Sequence, residues 1–86
     1  MIKGEVKGFA FEIDEAILDD IEFLELLGDA DDNILLIPKV ATAFLGEEQR
    51  KALYDHLRGE DGRVKTSDVS AIILEMINSI PRDGKN

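Results

Sequence analysis

VSAIILEMINSI, residues 69 to 80, places Val69, Ile72, Ile73, Met76, Ile77 and Ile80 at i, i+3, i+4, i+7, i+8 and i+11. That recurrence follows the 3.6-residue period of an α-helix and lays one continuous apolar stripe along a single side. Such a stripe must be buried against other elements, so the spacing predicts a mostly α domain built on this helix. Thr66 or Ser67 is the expected N-cap, because a hydroxyl can accept from the free amides of a first helical turn. Pro81 ends the pattern and leaves a polar tail over 81–86.

Working towards the N-terminus, Gly59-Glu60-Asp61-Gly62 breaks the chain ahead of the last helix. A preceding helix starts at Glu47 and Glu48, whose charges favour a helix start, and ends near His56 and Arg58, whose polarity suits its end. Glu47 and Lys51 add a favourable pair four residues apart, and Ala52, Leu53, Tyr54 and Leu57 supply apolar contacts. Gly46 separates this helix from another through Val40, Ala41, Phe44 and Leu45. That one should begin at Pro38, because proline is tolerated in the first turn and clashes in a helix interior. Further back, Asp19 and Glu22 form a helix-start signal, with Ile21, Leu24 and Leu27 as the apolar face and Phe23 and Leu26 widening it. Gly28 reads as the stop, and 28–33, GDADDN, as an acidic connector.

Phe9, Phe11 and Ile13 alternate at period two, as in a half-buried strand, with Ile2 and Val6 as a partner strand and Lys7-Gly8 as the turn. The expectation is therefore one helical domain over 1–80, of about four helices, with a strand segment or short β-hairpin over 1–13.

An 86-residue chain closes around one apolar core, and without cysteine it has no disulfide to supplement that core. Nineteen acids against ten bases give −9, which repels phosphate backbones and anionic lipid and so disfavours nucleic acid and membranes as partners. The 44% hydrophobic content is more than a disordered acidic chain carries. No signal-peptide core and no span of about 20 apolar residues is legible, which reads as a soluble cytoplasmic protein.

Catalytic chemistry has little to stand on. There is no cysteine nucleophile, and His56 is the single histidine, with no motif linking it to a serine; beside Leu53 and Leu57 it reads as a packing or capping residue. Asp29 to Asn33, DADDN, opens like a calcium-binding EF-hand loop, but Ile34 stands where glycine is required and Val40 where glutamate is required. Asp61-Gly62-Arg63-Val64 fails the same template, because Leu57 and Gly59 fall at ligand positions. Gly59 and Gly62 lack the following lysine and helix of a phosphate loop. The expectation is a non-enzyme with no catalytic residues, no metal and no cofactor.

Three blocks together, FAFEIDEAILDDIE at 9–22, IPKVATAFLGEEQ at 37–49 and LYDHLRGEDGRV at 53–64, resemble the small tail assembly chaperones of long-tailed bacteriophages and prophages of Gram-positive bacteria. The resemblance spans about residues 9 to 80, though the glycine-containing first strand and Thr42-Ala43, where larger apolar residues are expected, depart from it. It implies binding to the tape measure protein, and possibly the tail tube protein, keeping the former soluble in the bacterial host cytoplasm during tube assembly without entering the mature virion. Self-association is compatible with it. Candidate partner-binding residues are Phe23, Leu35, Leu36, Phe44 and Tyr54, apolar side chains outside the narrow core stripes, together with Arg63 in the last block. A prophage-encoded inhibitor mimicking DNA remains an alternative and would cluster its acids on one face; here they run from Glu5 to Asp83. A structural neck or connector component is a further alternative.

Overall fold

The computed structural model describes residues 1–80; the polar tail and Pro81 lie outside the described residues. The chain begins with an antiparallel hairpin, β1 (Ile2–Val6) and β2 (Phe9–Ile13), in which Ile2 pairs with Ile13 and Val6 with Phe9. Lys7 (φ 53°) and Gly8 (φ 82°) form the turn, and two positive φ values in succession match the right-handed twist of the strands. Phe9, Phe11 and Ile13 are buried while Ala10 and Glu12 are exposed, as the period-two reading requires. Gly4, inside β1, has a tertiary reason. It pairs with Phe11, and a Cβ there would lie 2.8 Å from Phe11 Cζ, so the ring covers the glycine.

A 3-10 turn, Glu15–Asp19, leads to α1 (Ile21–Asp32). The cap is Asp20 rather than Asp19, its carboxylate accepting from Glu22 N–H at 2.9 Å. Gly28 does not stop this helix, and 28–32 is not a connector. The helix continues through them to a cap at Asn33, which allows Ala30 to be buried. A glycine inside a helix costs only about 1 kcal/mol. The expected face also differs: Phe23 and Ala30 are buried, whereas Ile21 and Leu24 are exposed.

Asn33 then caps a second 3-10 turn, Ile34–Leu36, by accepting from Leu35 N–H at 3.1 Å. Next come α2 (Ile37–Leu45), with Pro38 in its first turn, and α3 (Glu47–Leu57). Gly46 joins them at φ 83°, ψ 163°, a region open essentially to glycine alone. α3 holds the hairpin at two points. The Gln49 amide accepts from Glu12 N–H and donates to the Glu12 carbonyl, both at 2.7 Å, closing the free edge of β2. Seven residues on, His56 Nε2 lies 3.1 Å from the Lys7 carbonyl and its ring packs against Phe9, so the histidine is an exposed latch on the turn.

The 59–62 break is held within itself: Gly59 N–H donates to the Arg63 carbonyl, and Asp61 accepts from Arg63 N–H. α4 (Thr66–Ser79) follows, without the expected hydroxyl cap. Lys65 is the extended capping residue, so Thr66 already lies in the first turn and neither it nor Ser67 is placed to cap. Val69, Ile72, Ile73, Met76, Ile77 and Ile80 are all buried, as the stripe predicts. The protein is thus mostly helical, with four α-helices and an N-terminal two-stranded hairpin among the described residues.

Packing is uneven. α4 lies on β1 and α2, and α3 on β2 and α2, while α1 packs chiefly on α2 and on the 3-10 turns at its two ends. Among the described residues, no helix is long and apolar enough to cross a membrane.

Candidate functional site

Because α2 sits between α1 and α4, those two helices flank a space that neither fills. It is an apolar groove of about 800 Å³. From α1 come Leu24, Leu27, Gly28 and Asp31, at i, i+3, i+4 and i+7, so one face of the helix lines it. From α4 come Thr66, Ser67, Ser70, Ile73 and Leu74; Ala30, Val40 and Ile73 are the buried residues of its lining. Ile34 and Ile37 close the end nearest the second 3-10 turn.

Two features separate this groove from an incidental crease. Leu24, Ile34 and Leu74, from three different elements, are exposed by 43%, 67% and 49% and converge on it. Single exposed leucines are ordinary on a protein surface, whereas apolar side chains gathered around a concavity mark an interaction site. Gly28 is the second feature. A Cβ there would meet nothing within 4 Å, so no packing constraint excludes a larger residue that would favour the helix. The glycine keeps the wall of the groove thin.

None of the six residues anticipated for partner binding lines the groove. Phe23 and Phe44 are corrected to core residues: their rings stack 5.8 Å apart, each buried, because a domain this small needs its few aromatics inside. Leu36 is half-buried against that core. Tyr54 is half-buried on α3, with the Arg50 guanidinium 5.6 Å from its ring centre. Arg63 belongs to the 59–63 loop, where its backbone makes the turn. Leu35 is 79% exposed and adjoins Ile34 at the groove's end without entering it.

The signal that could have found the site was present. Leu74 is the large apolar residue of α4 that falls outside the core stripe, and Gly28 is a glycine inside a helical pattern.

Charge is distributed less evenly than its span from Glu5 to Asp83 suggests. Ten of the nineteen acids lie between Glu12 and Asp32, a stretch with no lysine or arginine. The remaining nine face ten bases, so the stretch from Glu12 to Asp32 carries −10 and the rest of the chain +1. Ion pairs among the described residues are Lys7–Glu75 at 3.4 Å and Arg58–Asp55 at 3.0 Å, and neither involves that stretch.

Comparison with models of protein families, with curated proteins and with solved structures found no match.

Proposed function

We propose that this protein is a non-catalytic binding module whose groove takes an apolar helical segment of another protein, and that it serves as a phage or prophage tail assembly chaperone. In that role it would hold the tape measure protein soluble in the bacterial cytoplasm and leave before the virion is complete. The groove carries the binding half of this reading, and the resemblance over residues 9 to 80 supplies the partner. An apolar face of a helix laid in a hydrophobic groove is a common recognition mode, read as anchors at i, i+3 or i+4, and i+7. A small molecule fits less well, since ligand pockets cover most of their ligand, whereas apolar surface here continues onto exposed Ile21 and Leu35.

The test is co-expression. The tape measure protein of the same phage or prophage is made alone, with this chain, and with its Gly28→Leu variant, whose side chain would occupy the groove. The wild-type chain should raise the soluble fraction and co-purify, and Gly28→Leu should do neither while melting no lower than wild type. Equal solubility in all three cases, with no co-purification, removes the chaperone reading. Detection in purified virions would instead favour a neck or connector component.

A further inference from the structure

The two walls of the groove differ in kind, and that difference describes its occupant. Asp31 lines the α1 wall, and Asp32 and Glu25 follow exposed Ile21 round the helix on the solvent side, at 100° per residue. Glu22 and Asp29 lie further round, on the side of the helix away from the groove, and α1 contains no base. The α4 wall presents Thr66, Ser67 and Ser70 beside Ile73 and Leu74, with Lys65 and Asp68 near its start. The α1 wall therefore carries one acid with two more at its rim, and the α4 wall is small, hydroxylated and close to neutral. Resting on the reading that the groove takes a helix, we propose that its occupant is an amphipathic helix of a partner protein bordered by lysine or arginine along the edge facing α1.

Complementary charge at a rim acts mainly on encounter rate and register, and it is screened by salt. A helix with acids on that edge would meet the carboxylates of α1 and be rejected, so one groove both accepts an apolar stripe and orients it. The exposed aliphatics supply binding and the acids supply choice.

The test uses three synthetic helical peptides of about 18 residues, or five turns. The first carries leucines at i, i+3, i+4 and i+7 with lysines along one edge. The second replaces those lysines with glutamate, and the third keeps the lysines but replaces the leucines with glutamine. Binding to the full chain is followed by fluorescence anisotropy. The lysine–leucine peptide should bind at least ~10-fold more tightly than the glutamate–leucine peptide at about 50 mM salt, the ratio falling to about twofold near 500 mM as the charges are screened.

In the triple variant Glu25→Gln, Asp31→Asn, Asp32→Asn the two leucine peptides should bind alike. Equal affinity for the wild-type chain overturns the charge proposal and leaves the groove reading standing. Unchanged binding of the lysine–leucine peptide to Gly28→Leu overturns both. A lysine–glutamine peptide that binds as tightly as its leucine counterpart also overturns both, in favour of an acidic surface of the DNA-mimic kind.

Discussion

Two glycines make opposite predictions for the same substitution. At Gly28 the helix is regular and the space beyond is open, so Gly28→Ala should stabilise the protein by about 0.5–1 kcal/mol, read as a raised Tm. At Gly46 the backbone sits at φ 83°, ψ 163°, and Gly46→Ala should destabilise by about 1–3 kcal/mol. Parallel chemical denaturation of the two variants checks both signs, and a shared sign would refute the account of one of them. Ile73 is both a core residue and part of the groove's lining, 2% exposed, so Ile73→Asp would bury an unpaired charge and should abolish folding. Arg63 contributes backbone bonds that alanine would keep, and Arg63→Ala should leave the melt within about 0.5 kcal/mol of wild type.

At the scale of elements, the hairpin is held by its buried face on α4 and α2 and by α3 at the free edge of β2. Two strands in isolation are marginal, and here β2 finds its second edge partner in a side chain, Gln49, whose amide imitates a neighbouring strand for one residue. The same amide nitrogen also donates to the Leu45 carbonyl, which ties the start of α3 to the end of α2. Gln49→Ala should therefore cost about 1–2 kcal/mol, as hydrogen bonds at a partly solvated site do. Amide exchange checks the mechanism, with the Glu12 N–H losing protection more than the Phe11 or Ile13 N–H. Uniform loss across the hairpin would mean that Gln49 acts through α3 packing alone.

For the molecule as a whole, the concentration of net charge predicts a dependence on ionic strength. Ten acids without a base between Glu12 and Asp32 repel one another in the folded state, and salt screens that repulsion. Tm should rise between low and moderate salt, and the triple Glu25→Gln, Asp31→Asn, Asp32→Asn variant should show a higher Tm and a weaker salt response. Melts of both proteins across a salt series check this. A flat wild-type profile would mean that the charges are too far apart to matter.

The sequence alone determined what depends on neighbours along the chain. The period of Val69 to Ile80 specified a buried helix, the alternation at Phe9 to Ile13 specified a half-buried strand, and Gly46 and Pro38 marked a break and a start. Each follows from local backbone preference joined to a repeat that any apolar core would reward. The sequence could not say which of several apolar residues on α1 would face inward, because Phe23 and Leu24 differ by 100° on the helix and are comparably apolar. Only packing against Phe44 chose Phe23. Nor could spacing tell a glycine that stops a helix from one that thins a wall, since the distinction at Gly28 depends on what lies across from it. The groove's two walls come from α1 and α4, residues more than 30 positions apart such as Leu24 and Leu74, brought together because α2 separates α1 from α4. Concavity is a property of that arrangement and has no counterpart in the order of residues.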